Sequence, residues 1–278
     1  MGRNSDRLGM DNKPEHAEAP PIFNPLSFVA PTEVVDLPSK GEGYPDDHPL
    51  KGKDHIEIRY MTAKDEDILS NQSLIKKGIA LERLFENIIV DAKIDPLSLL
   101  VCDRNAILIQ ARATAYGADY EAHVGCKNCG TRNRIIFNLR NPKFEGGMTE
   151  ESLKHVQYVG NGLYQTKMPG TKFNVKFRVA NGEDENRILS LAVENKTVDY
   201  GTVEQYKHMI KEIEGHADEE IISSYVENMI VTDATHFKMC LRRCTKSVRV
   251  SETFSCMQCS TEQEVDVPFG TDFFWPQR

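Results

Sequence analysis

VGCKNCGTRNRIIFNL (residues 124–139) and FSCMQCSTEQEVDVPF (254–269) are written on one plan: strand, Cys-x-x-Cys, turn residue, strand. Four thiolates from Cys126, Cys129, Cys256 and Cys259 form the ligand set of a tetrahedral site suited to zinc. The two-residue spacing lets backbone N–H groups of the turn face the sulfurs while both thiolates reach one ion. Four protein ligands leave no open coordination position, so such a metal is structural rather than catalytic. An iron–sulfur cluster uses the same ligands and stays open as an alternative. So do a thioredoxin-like redox pair and plain buried thiols. The redox pair fits less well, because it needs a helix start after the strand and both pairs here stand between strands. Cys102, and Cys240 with Cys244 one helical turn apart, read as core packing.

The gap between the two pairs far exceeds the usual spacing of about 15–20 residues. A duplication explains it, each half giving one knuckle. VKFRVANGEDENRIL (175–189) aligns with IEIRYMTAKDEDIL (56–69): Arg178 falls on Arg59, Asn181 on Thr62, Asp184 on Asp65 and Glu185 on Glu66. Asp103 opens RNAILIQARATAY as Asp233 opens ATHFKMCLRRCTK, and each Asp stands 23 positions before its first knuckle cysteine. Arg112 falls on Arg242 and Thr131 on Thr261. No single match decides; the shared order of elements does.

Local signals place these motifs. HIEIRYM alternates like a strand, Thr62 is placed to cap the following helix, and LIKKGIALERLFENIIVD (74–91) carries apolar residues at helical spacing. Asp95-Pro96 is a second helix start, Asp103 a third, and Gly117 a stop. VEQYKHMIKEIEGHADEEIISSYVENMI (203–230) reads as a longer helical stretch with residues beyond the repeat. The acidic pairs at 65–66 and 184–185 are expected to favour a helix dipole and to solvate a face.

The chain has 278 residues, 40% of them hydrophobic, and a formal net charge of −8. That is enough for one large core or two modest ones. The charge argues against a protein that tracks phosphate backbones. No apolar run approaches a membrane span and no signal-peptide pattern is evident, so a reducing cytosol is expected during folding. No dinucleotide fingerprint, P-loop or nucleophile elbow occurs, so neither an enzyme nor a small-molecule substrate is expected. Of the 13 prolines, Pro14, Pro20, Pro21, Pro25, Pro31, Pro38, Pro45 and Pro49 precede residue 50. Residues 1–35 therefore read as a disordered or extended arm, either a linker or a strap that lays Phe23 and Phe28 on a neighbouring subunit. At the other end Phe273, Phe274 and Trp275 either anchor a partner or fold back on the ribbon.

Several segments together resemble the baseplate hub assembly proteins of T4-type contractile-tailed bacteriophages. They are LPSKGEGYP (37–45), IEIRYMTAKDEDIL (56–69), LIKKGIALERLFENIIVD (74–91), DRNAILIQARATAYGADYEAHVGCKNCG (103–130) and FSCMQCSTEQEVDVPFGTDFFWP (254–276). Zinc knuckles usually read Cys-Pro-x-Cys-Gly. Lys127 and Met257 replace the prolines and Ser260 the second glycine, which weakens the turn preference and leaves all four thiols. The resemblance implies a non-enzymatic protein that builds, or forms part of, the tail baseplate. Its partners would be other baseplate or hub proteins, met in the host cytoplasm and then in the virion tail. A zinc-ribbon nucleic-acid binder and a thiol oxidoreductase are the rival functions.

The expected fold is α+β: an arm (1–35), a first repeat with Cys126/Cys129 (36–143), a connecting β segment (144–171) and a second repeat with Cys256/Cys259 and an aromatic C-terminus (172–278). A four-cysteine zinc-ribbon-like β module joins the repeats.

Overall fold

The computed structural model describes residues 29–187, 202–268 and 273–274. Phe23, Phe28 and Trp275, and most of the arm, lie outside the described residues. The fold is mixed α+β with small sheets. HIEIR alternates as expected and forms β2 (His55–Arg59), which buries Ile56 and Ile58 and pairs antiparallel with β1 (Thr32–Asp36). The helical run that follows is cut into α1 (Ala63–Ser70), α2 (Gln72–Lys76) and α3 (Ala80–Ile88). Two residues make the cuts. The Asn71 side chain accepts the N–H groups of Ser73 and Leu74, and Gly78 turns the chain at φ 72°. Leu84, Phe85 and Ile88 fill the core beneath, and Ile89 bridges back to Ile58.

Asp95-Pro96 opens a single 3₁₀ turn, with Asp95 accepting the Leu97 N–H at 2.9 Å. The next helix, α4 (Val101–Tyr116), begins two residues before Asp103. Asp103 is not its cap. The carboxylate is wholly buried and accepts the Ser39 N–H (2.9 Å), the Ser39 hydroxyl (2.6 Å) and the Tyr44 hydroxyl (2.7 Å). It thereby pins the long loop between β1 and β2. After α4 come β3 (Asp119–Gly125) and β4 (Arg132–Asn138), an antiparallel hairpin with the first cysteine pair at its tip.

The later strands are β5 (Lys143–Gly146), β6 (Val156–Gly160), β7 (Leu163–Lys167) and β8 (Asn174–Phe177). Helical residues 182–187 follow, then α5 (Thr202–Met209), β9 (Ile210–Ile213), α6 (Glu219–Glu227) and α7 (Val231–Cys244). The chain continues through β10 (Lys246–Arg249) and closes with the hairpin of β11 (Ser251–Ser255) and β12 (Glu262–Asp266). The long helix expected over 203–230 is interrupted by a strand. IKEI buries Ile210 and Ile213 and completes the sheet β6-β7-β8-β9, and the turn out of it uses Glu214 and Gly215 at positive φ. Residues 144–171, expected to connect, supply strands to later elements: β5 pairs with β10, and β7 with β8.

The acidic residues at 65 and 184 do not solvate a face. Arg59 grips buried Asp65 through two hydrogen bonds (2.7 and 2.9 Å), and Arg178 grips Asp184 in the same way (2.6 and 2.9 Å). Asp65 also accepts the Thr62 N–H and Asp184 the Asn181 N–H, at 2.8 and 2.9 Å. Each clamp fixes the angle at which a helix leaves its strand. One buried apolar cluster runs from Val35 through Ile107 and Phe177 to Val267. Polar ties cross it as well. Arg104 of α4 reaches Glu82 (2.5 Å) and Glu185 (2.8 Å), and the Gly182 N–H donates to the Leu99 carbonyl at 2.9 Å.

The clamps set an acid limit on stability. Burial alone would raise both carboxylates, but Arg59 and Arg178, with the cap N–H groups, outweigh it and hold them below the ordinary range. Their stabilisation is therefore complete above the ordinary carboxylate pKa of about 4 and is lost as pH falls through the lowered values. Arg59→Ala leaves Asp65 buried and unpaired and is expected to cost about 3 kcal/mol at pH 7. Denaturant midpoints measured from pH 7 down to pH 3 check this. The difference between wild type and variant should shrink as the pH falls.

Candidate metal centre

Each hairpin ends in the same turn. The Gly130 N–H donates to the Cys126 carbonyl at 2.8 Å, and the Ser260 N–H to the Cys256 carbonyl at 2.9 Å. The Cys126 and Cys256 N–H groups bond the carbonyls of Thr131 and Thr261 at 2.9 and 3.0 Å. Gly130 takes φ 74° and Ser260 φ 55°. Serine therefore adopts the left-handed conformation that glycine favours, and the departure from the knuckle pattern leaves the turn intact.

The tips meet face to face, and their contacts are exchanged between hairpins. Cys126 Sγ lies 3.7 Å from Cys259 Sγ, and Cys129 Sγ 3.6 Å from Cys256 Sγ. The Lys127 N–H donates to Gln263 Oε1 at 3.1 Å, and the Met257 N–H to Asn133 Oδ1 at 3.0 Å. Asn133 and Gln263 each stand four positions after the second cysteine of their pair. These carboxamides lock the hairpins together, and aligning the two stretches would have exposed them as a matched pair. Thr131 and Thr261, which that alignment does match, each place Oγ1 3.3 Å from the second cysteine sulfur of their own hairpin.

All four sulfurs lie within 4.8 Å of one another. Disulfides would need sulfurs about 2 Å apart, and all four cysteines are free. Tetrahedral thiolates at about 2.3 Å from an ion would stand about 3.8 Å apart, close to the two shortest separations here. The donor set therefore fits a four-coordinate metal. The Thr261 hydroxyl and N–H, with the Asn128 amide, hold the Cys259 thiol down to about 5. The N–H groups of Cys259 and Gln258 lower Cys256. Such hydrogen bonds favour thiolates, as a cation-binding sulfur needs. At Cys129 those from Thr131 are outweighed by desolvation and the neighbouring Cys259 and Cys256 sulfurs, and the thiol is raised. Cys126 and Cys256 are buried, Cys259 is half-exposed and Cys129 exposed.

The remaining cysteines are placed as packing. Cys102, Cys240 and Cys244 are buried in the core, and burial pushes Cys244 up to about 12. Phe273 and Phe274 are also buried, the first edge-on to Tyr120 at 5.1 Å and accepting a hydrogen bond from Arg112 on its carbonyl at 2.8 Å. Of the two roles open to these aromatics, their placement fits folding back on the chain. His123 is exposed, and His236 meets Thr166 and Cys240 at 2.9 and 3.4 Å. Among the described residues no other cluster of metal-ligating side chains occurs, and no helix is long and apolar enough to cross a membrane.

The family described as T4 bacteriophage base plate protein matches residues 31–274, and the chain belongs to that family. No curated protein and no solved structure matches the chain.

Exposure orders the thiols. In chelator-treated but folded protein, iodoacetamide is expected to modify Cys129 and Cys259 first, with Cys102, Cys240 and Cys244 protected until unfolding. Peptide mapping by mass spectrometry reads the order.

Proposed function

We propose that this member of the T4 bacteriophage base plate protein family is a non-enzymatic component or assembly factor of the baseplate hub, acting through contacts with other hub proteins. The family match over residues 31–274 carries this reading. The geometry supports it. Four cysteine sulfurs lie within 4.8 Å of one another, and a metal held by all four would make a rigid joint with no open coordination position for a substrate.

The chain reads best as two duplicated halves. The paired clamps Arg59–Asp65 and Arg178–Asp184, the paired buried carboxylates Asp103 and Asp233, and the two hairpins with exchanged amide bonds all support this. Asp233 accepts the Gly170 and Thr171 N–H groups at 2.6 and 3.0 Å, much as Asp103 accepts Ser39. Zinc held by Cys126, Cys129, Cys256 and Cys259 would tie the halves, with an iron–sulfur cluster as the lesser alternative. The residues that precede β1 would then serve as a strap toward a neighbouring subunit in the tail.

One metal per chain is expected if the hairpins share an ion. Cys126→Ser and Cys256→Ser should then lose it equally, and Cys102→Ser should keep it. Elemental analysis decides, and two ions per chain would contradict a shared site. Such a site contributes on the order of 10 kcal/mol of apparent binding energy, so either loss should also destabilise both halves.

Mass spectrometry of purified virions tests the function. A few copies per particle mark a component. Absence from virions with co-purification alongside hub precursors marks an assembly factor. Absence from both refutes the proposal.

A further inference from the structure

Resting on the duplication and on the arm as an inter-subunit strap, we propose that two copies of this chain pair through residues 26–36. They would form an antiparallel ribbon centred on Pro31, with Phe28 of each copy laid on Val34 of the other.

The two halves differ at one sheet edge. β7 corresponds to β1: each runs into an apolar-Pro pair, Leu37-Pro38 or Met168-Pro169, followed by a residue bonded to the buried Asp103 or Asp233. β8 corresponds to β2 through its Arg clamp. Ile210 of β9 pairs with Phe177 as Ile89 bridges to Ile58. Among the described residues β6 has no counterpart: it lies antiparallel on the outer edge of β7, whereas β1 pairs with β2 alone.

Hydrogen-bond parity shows which groups this leaves open. The Pro31 carbonyl accepts the Tyr60 N–H at 2.8 Å, and the Leu37 N–H donates to the Asp54 carbonyl at 2.7 Å. Odd-numbered residues of β1 therefore bond toward β2, and the N–H and C=O of Thr32, Val34 and Asp36 face outward. These backbone groups have no partner among the described residues, and their side chains are exposed, Val34 by 61%. An unpaired edge of this kind is a template for another strand.

The segment before β1 supplies that strand, but not to its own edge. β6 returns onto β7 through Asn161 and Gly162, both at positive φ. At the same place the chain has Ala30-Pro31. Proline fixes a negative φ and biases Ala30 toward extended backbone, so no tight reversal forms there. Leu26-Ser27-Phe28-Val29-Ala30 is proline-free and as long as β1, and Val29 is 82% exposed. Leu26, Ser27 and Phe28 lie outside the described residues. In a two-fold ribbon centred on Pro31, Ala30 falls opposite Thr32, Phe28 opposite Val34 and Leu26 opposite Asp36. The even residues then supply every bond between copies. Pro25 and Pro31 are odd, so their missing N–H groups cost the ribbon nothing.

The test uses the full chain in sedimentation equilibrium. Wild type should dimerise. Val34→Pro and Phe28→Pro each remove an inter-copy N–H and should be monomeric alone. Val29→Pro, at an odd position, should dimerise like wild type. Val34→Pro leaves the bonds to β2 untouched, and an unchanged denaturant midpoint confirms its fold; Thr32→Pro substitutes if it does not fold. A monomeric wild type overturns the proposal. If Phe28→Pro abolishes dimers and Val34→Pro does not, the strap survives and its docking on β1 fails. If neither variant changes the dimer, the strap fails too.

Discussion

Four sulfurs gathered within 4.8 Å, drawn from hairpins 130 positions apart in the chain, impose the constraint to which the rest of the molecule conforms. Thiols or thiolates so close repel or share protons unless a cation or a donor network compensates them. A donor is present, Asn133 Nδ2 at 3.6 Å from Cys256 Sγ, while Asn133 Oδ1 and Gln263 Oε1 each cross to the opposite hairpin and accept the first N–H after its leading cysteine. Those bonds fix the hairpins face to face, so the helices feeding them, α4 and α7, cannot settle independently.

Behind the hairpins the same problem is solved twice. A helix leaving a strand at a steep angle exposes N–H groups and needs a rigid corner. Here a buried carboxylate collects the cap N–H and is neutralised by an arginine from the end of the strand, giving Arg59–Asp65 and Arg178–Asp184. A second carboxylate, Asp103 or Asp233, sits one turn into the long helix and holds down the loop after an earlier strand. Charges this deeply enclosed are costly if unpaired, which makes the corners specific as well as strong.

The tails beyond the hairpins cross over. β5 follows the first hairpin and pairs with β10, Phe144 opposite Val248, while Phe273 beyond the second hairpin packs on Tyr120 of β3. Apolar cover from one end of the chain thus closes the core at the other. One fused core results rather than two beads.

Much of this was legible in the residues alone. The matched Cys-x-x-Cys stretches disclosed the four sulfurs, because two-residue spacing at a hairpin tip has few other uses. Equal offsets from Asp103 and Asp233 disclosed corresponding helices, and alternation in HIEIR disclosed a strand. Partner and depth were not legible. Asp65 and Asp184 look like solvated helix-start acids, since a local pattern carries no record of the arginine that buries them. IKEI reads as helix because its flanks are helical, and only the open edge of β8 makes a strand of it. Ser260 reads as a weakened turn, yet it takes positive φ and its N–H closes the turn on the Cys256 carbonyl. Short-range chemistry fixes which residues can act together; which of them meet, and how deeply, depends on long-range packing that no local window contains.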